Sequence, residues 1–437
     1  MDPHTPVTAG AGEGGEEGAD RTCWEAGKAR NWAGNVSFSA ATVHRPRDTD
    51  ELAAVVAGHR RVKAVGSGYS FSTVADTEGA LVRLDRMPKA IEIDAGGSRV
   101  RVAAGVTFTE LAPRLHERGF ALPNLGSLPH ITVAGACATG THGSGNANPA
   151  IAAGVREVEF VTADGTLTRL DRSCPGFDGA VTSLGALGVA THLTLDLVPA
   201  FDMEQYVWEG LRWDGLVEGI DAVTASAYSV SVFTDWNRTH SVWAKRRAGD
   251  PLPDLSFTGA RPADGPRHPL AGLPADNCTP QEGLPGPWWQ RLPHFRADRL
   301  PSTGDELQSE YFVPLDRARD AMTAVHDLRD RLGPVLHLSE LRTQAADETW
   351  IGPGHGRDSL AVHFTWRLDV PGVGRVLPAV EAALAPFGAR PHWGKVFDVA
   401  PDRLAARYPR WEEFRALRTA LDPGGTFRNA LTERYFA

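Results

Sequence analysis

Along residues 31–200 the chain is patterned mainly in short runs where apolar and polar positions alternate, the period of half-buried strands. Such runs are RVKAV (61–65), GALVRLD ending at Asp85, AIEID (90–94), RVRVAAG (99–105) and GVATHLTLDLVP (188–199). In REVEFVTADGTLTRLD, Asp164-Gly165 sits between two alternating runs and predicts a hairpin. Two helices are predicted among them. ELAAVVAG is opened by Asp48 and Glu51 and stopped by Gly58, and FTELAPRLHER is opened by a Thr107/Glu110 capping box and stopped by Gly119.

The pattern changes after Pro199. A Pro- and Gly-rich interval (251–301), a helical stretch LDRARDAMTAVHDLRDRLG and the strand candidates LQSEYFVP, VLHLSELRT and LAVHFTW follow. Then RPHWGKVFDV (390–399) precedes a polar amphipathic helix and the ending LDPGGTFRNAL. The expected class is α+β, with boundaries near residues 200 and 387. Alternation puts Glu340 and Arg342 on one face of their strand, and His363 and Thr365 on one face of theirs. Such a polar wall suits a wet exterior or a wet cavity equally, and the pattern leaves both open.

One stretch departs from every period. Leu122–Gly145, LPNLGSLPHITVAGACATGTHGSG, interleaves Gly126, Gly135, Gly140, Gly143 and Gly145 with the hydroxyls of Ser127, Thr132, Thr139, Thr141 and Ser144, and carries no Asp, Glu, Lys or Arg. Bare backbone and small donors of this kind can wrap a large, planar, polar ligand. A loop-rich connection would read the same way. Upstream, Gly66 and Gly68 follow a strand and Asp85 closes the next one, which is part of a dinucleotide fingerprint. Phe71 stands where the third glycine belongs, however, and TVADTEG is too short for the required helix. A turn whose amides face a phosphate without a helix behind it remains.

Composition narrows the classes. The 437 residues are 42% apolar and 23% charged, as in a soluble globular protein of two or three domains. A net charge of -9 argues against nucleic acid as a partner. No apolar run approaches the roughly 18 residues of a membrane helix, and the N-terminus lacks signal-peptide order, so a cytoplasmic protein is expected. Residues 1–30, rich in Gly, Ala and Glu, are expected to be a disordered extension. Cys23, Cys137, Cys174 and Cys278 are far apart and argue against a disulfide framework. With no HExxH, no P-loop and no Cys/His ligand spacing, no metal site is expected.

Taken together, NWAGN, VGSGxSF, ALPNxxSLPHITVAGxxATGTHGSG, AVTSLGALGV, SVFTDW, GPWWQRLPHFRA, ELQSEYFVP, VHFTW and RPHWGKVF give the chain a resemblance to a known family. From Asn31 to its end it resembles the alditol oxidases, flavoproteins of the vanillyl-alcohol-oxidase type related to the aldonolactone oxidases. The resemblance implies an FAD-binding domain (31–200 and 388–437) and a cap or substrate domain (201–387). It implies FAD held by extended loops: Val65, Gly66, Ser67, Gly68, Tyr69, Ser70, Gly126, Ser127, His130, Val133, Ala134, Gly135, Thr139, Gly140, Thr141, His142, Gly143, Ser144 and Lys395. It further implies a substrate site of Ser127, Glu340, Arg342, His363, Thr365 and Lys395. In that site Arg342 and Lys395 hold and polarise the reacting hydroxyl, and Lys395 also sits by the flavin N1 edge. Glu340 binds neighbouring hydroxyls, Ser127 and Thr365 take those farther along, and His363 contacts substrate or stands behind it. The implied activity is oxidation of the terminal alcohol of a polyol to the aldehyde, with dioxygen reduced to peroxide, by a monomer. A sugar or aldonolactone dehydrogenase or oxidase with another substrate or acceptor is the alternative.

One position departs from the family pattern. Tyr69 stands where the flavin-linking histidine is expected, so FAD is expected to bind without that covalent bond. Gly126, at the position beside flavin C4a, leaves room for dioxygen.

Overall fold

The protein is described by a computed structural model covering residue 24, residues 27–299 and residues 305–437. Most of the expected disordered extension lies outside the described residues. Its described part is packed, with Trp24 stacked on Phe38 and Ala29 buried, so packing begins ahead of Arg30.

The amino-terminal half is built on a five-stranded antiparallel sheet. Its order is Ile91–Asp94, Arg99–Ala103, Val189–Asp196, Val155–Val161, Leu167–Asp171. Strict alternation in Val189–Asp196 buries every second side chain. That face packs with the helices Phe108–Glu117 and Val133–Thr139 in one core. A small parallel sheet joins Thr42–His44, Ala80–Val82 and Val62–Ala64.

Val133–Thr139, a short helix inside Leu122–Gly145, departs from the expectation that extended loops alone hold the cofactor. Its cap is local: the Thr132 side chain accepts from the Gly135 amide, and Gly140 ends the helix in the left-handed region at φ 74°. Seven residues of small side chains are too short to show a helical period, which is why the pattern along the chain does not reveal it.

The second half is built on a nine-stranded sheet. Its centre runs Asp202–Glu209, Thr239–Arg247, Ser229–Thr234, Leu336–Gln344, Ser359–Arg367, Glu306–Pro314, all antiparallel. Alternation splits these strands cleanly. Val230, Val232, Tyr311, Val313, Leu341, Val362, Phe364 and Trp366 belong to one large apolar core. That core is shared with the helices Trp213–Thr224, Ala318–His326 and Val370–Leu384. The opposite face carries the polar positions and turns toward the first half. Arg390–Pro391 adds to the sheet beside Glu306–Pro314, returning the chain to the domain junction.

Candidate active site

A cavity of about 390 Å³ runs along this junction. Its first wall is the turn after Val62–Ala64, where Gly68 has φ 73°. Three contacts pin the turn: Asn31 donates to the Ser70 carbonyl at 2.9 Å, the Phe71 amide to Gly394 at 2.7 Å, and the Ser72 hydroxyl to Trp393 at 2.6 Å. The last two tie it to the RPHWGK return. Gly66 must be bare, because a Cβ there would lie 2.2 Å from Thr132 Oγ1.

Val65, Gly66, Ser67, Gly68, Tyr69, Ser70, Gly126, Ser127, Ala134, Gly135, Thr139, Thr141, His142 and Lys395 all line the cavity. The wall does not include five other residues expected there, and each has a different occupation. Val133 is core, and Gly140 is the helix stop. Gly143 lets Asn124 and Leu125 approach, Ser144 donates to the Val230 carbonyl, and the His130 ring contacts the Ala297 carbonyl at 3.1 Å.

The opposite wall is the polar face of the nine-stranded sheet. Register places Glu340 opposite His363, and His363 opposite Glu310 on its other side. Gln308 pairs likewise with Thr365. Arg342 lies across the middle. Its Nη2 donates to Glu310 Oε1 at 2.6 Å and its Nη1 to Ser127 Oγ at 3.0 Å, while its Nε is 3.6 Å from Glu340 Oε1. His142 Nε2 is 3.2 Å from Glu310 Oε1. Lys395 Nζ contacts Gln308 Oε1 and lies 5.2 Å from the centre of the Phe71 ring. All six residues expected at the substrate site, Ser127, Glu340, Arg342, His363, Thr365 and Lys395, therefore meet in one cavity.

Burial and charge set the protonation states. Burial alone would raise the Glu310 carboxyl, but Arg342, His142 and His363 hold it well below the usual carboxylate range. Glu340 is likewise held low against burial by Arg342 and His294. Burial pushes Lys395 down to about 8 and keeps His363 below its ordinary value. The result is two anions, one guanidinium and one readily titrated lysine in a buried wall.

Sequence reasoning missed Glu310, Gln308, His392 and His294. LQSEYFVP was readable as a strand, and its alternation puts Gln308 and Glu310 on one face. Nothing local distinguished that face from solvent.

The cavity fits a flavin dinucleotide. It joins glycine-bare backbone at one end to a polar wall at the other, and its volume lies in the usual range for ligand sites. On that wall Arg342 Nε and His363 Nδ1 each face a carboxylate oxygen at 3.6 Å, of Glu340 and Glu310 respectively.

Comparison with known proteins decides the family. Residues 40–171 match the FAD binding domain family and residues 303–435 match D-arabinono-1,4-lactone oxidase. Alditol oxidase of Streptomyces sp. (strain IKD472 / FERM P-14339) is 52% identical over 404 residues, spanning 91% of this chain and 96% of that protein. The chain belongs to the alditol and aldonolactone oxidase family. A second member, L-gulono-1,4-lactone dehydrogenase of Mycobacterium tuberculosis (strain CDC 1551 / Oshkosh), is 30% identical over 92% of this chain and 98% of its own.

Family membership makes the protein an FAD-dependent oxidoreductase with the two-domain vanillyl-alcohol-oxidase-type architecture, an FAD-binding domain and a cap. The fold extends further than the sequence likeness. A solvent-stable cholesterol oxidase superposes with TM-score 0.77 at 16% identity, over 93% of this chain and 97% of the other. Among the described residues no helix is long and apolar enough to cross a membrane.

Proposed function

We propose that this protein oxidises the terminal primary alcohol of a polyol such as xylitol or sorbitol to the aldehyde, with dioxygen reduced to hydrogen peroxide. The observation that carries this reading is one cavity joining Gly66–Ser70 and Gly126 to Ser127, Glu340, Arg342, His363, Thr365 and Lys395. A wall of alternating anions, cations and hydroxyls suits a ligand bearing a hydroxyl on every carbon. The 52% identical relative is itself named for alditols.

FAD, when bound, would supply the hydride acceptor and the chemistry that reduces dioxygen. The protein's residues then have separable tasks. Arg342 and Lys395 hold and polarise the reacting hydroxyl, where a buried cation counts for more than in water. That hydroxyl must lose its proton as hydride leaves carbon. His363 is kept neutral by burial, with Nε2 3.3 Å from Thr365 Oγ1 and Nδ1 3.6 Å from Glu310, so it can take the proton while the carboxylate faces its other nitrogen. Glu340 binds neighbouring hydroxyls, and Ser127 and Thr365 those beyond. At Gly126 an added Cβ would meet only Thr141 Cγ2 at 3.4 Å and the His142 carbonyl at 3.6 Å, and the bare glycine leaves that space to dioxygen.

Tyr69 lies with its ring 5.1 Å from that of Trp32. A phenol cannot form the histidyl bond, and we read the FAD as non-covalent, with residues 31–200 and 388–437 as its domain and 201–387 as the cap. A cytoplasmic monomer belongs to the same proposal.

The test is peroxide release under air with xylitol, sorbitol and related polyols. Silence across that panel by yellow, FAD-loaded protein overturns it. The carboxy-terminal match and the dehydrogenase relative favour a second reading, oxidation of a sugar lactone with another acceptor. Anaerobic bleaching by L-gulono-1,4-lactone without reoxidation in air would select that one.

A further inference from the structure

The segment GPWWQRLPHFRA brings to the cavity a side chain that the scheme above does not use. His294 is buried, with Nε2 2.8 Å from Glu340 Oε1 and 3.4 Å from Ser231 Oγ. Its Nδ1 is 3.1 Å from Nζ of Lys245, which also donates to the carbonyls of Leu292 at 2.6 Å and Pro293 at 3.0 Å. Phe233 and Trp243 meet the ring edge-on, at centroid distances of 5.6 and 5.2 Å, and hold its plane.

The donors and acceptors order themselves. Glu340 is an anion and can only accept, so Nε2 carries the proton and Nδ1 the lone pair. Lys245 Nζ must then donate to Nδ1, as it does to the two carbonyls. Burial pushes His294 down to about 4, in keeping with a neutral ring. The main chain adds a second tie: the His294 amide donates to the Ser127 carbonyl at 3.1 Å, and Ser127 Oγ accepts from Arg342. Since His294 and Arg342 Nε both approach Glu340 through Oε1, the other carboxylate oxygen is left to accept from a ligand.

We propose that His294, fixed by Lys245, is a positioning residue that orients Glu340 and thereby selects the hydroxyl pattern the pocket accepts. The inference rests on the polyol reading of the cavity. It assigns to the Pro- and Gly-rich interval a role in specificity, acting through one carboxylate.

Two substitutions separate this from a packing role. In His294→Gln the amide oxygen can accept from Lys245 and the amide nitrogen can donate to Glu340, whereas His294→Phe fills the space and does neither. Anaerobic stopped-flow reduction with xylitol and with sorbitol reads Kd and the limiting rate separately. His294→Phe is expected to raise Kd about tenfold or more, the cost of a lost hydrogen bond to a charge, and to shift the xylitol-to-sorbitol preference. His294→Gln should restore most of that loss, and Lys245→Met should share part of the defect. In a Glu340→Gln background His294→Phe should add little. Unchanged Kd in a folded, FAD-loaded His294→Phe protein, or full additivity with Glu340→Gln, overturns the proposal. If no polyol reduces the wild-type flavin, the functional reading fails by itself. Long-range ¹⁵N spectra of His294 then decide the inference: a neutral Nε2–H ring from about pH 5 to 8 supports it, and the Nδ1–H tautomer overturns it.

Discussion

Glu310 is the most heavily committed side chain of the site. It is buried and faces Arg342, His142 and His363 at 2.6, 3.2 and 3.6 Å. Removing one partner of a buried ion pair leaves the other charge without compensation, so Glu310→Ala should lose about 3–5 kcal/mol of stability in urea denaturation. Lys395 makes a different prediction. Burial holds it at about 8, so its charge is present below that pH and lost above it. The limiting rate of flavin reduction should therefore fall as pH rises through about 8. Lys395→Met should abolish that limb and lower the rate, measured per bound flavin, by about 10²-fold, comparable to loss of one electrostatic donor at a reacting oxygen.

Among the elements, the glycine turn and the short helix Val133–Thr139 depend on each other. Thr132 caps the helix, and its hydroxyl fills the space against Gly66. Gly66→Ala would drive a methyl into that hydroxyl, costing a cap of about 1 kcal/mol and deforming the cofactor wall. The expected result is less flavin per chain after gel filtration. Acid precipitation of the wild type should leave the yellow colour in the supernatant. Colour in the pellet would refute non-covalent attachment at Tyr69.

For the molecule as a whole, two buried lysines tie distant segments together. Lys63 donates to the Leu184 and Gly185 carbonyls, and Lys245 to those of Leu292 and Pro293. Burial pushes both from 10.5 down to about 7. Between those values the unfolded chain binds more protons than the folded one, so this contribution makes stability rise with pH. Below about 7 both states are protonated and the dependence vanishes. Urea denaturation of Lys63→Met should show a flatter rise from about pH 7 to 10 than wild type.

What the sequence determined by itself was local or carried by long motifs. Alternation in VLHLSELRT and LAVHFTW set the strands and the sharing of faces by Glu340 with Arg342 and His363 with Thr365, because period two depends only on adjacent backbone geometry. The motif set pointed to the flavoprotein family, its α+β class and its FAD-binding and cap domains. Tertiary structure alone decided that the polar face borders a cavity, since alternation is identical beside bulk water. It also decided that Glu310 and His294 complete the wall. Their partners Arg342 and Glu340 lie 32 and 46 positions away, and no local period encodes a pairing made only when sheet and return strand close on the glycine turn.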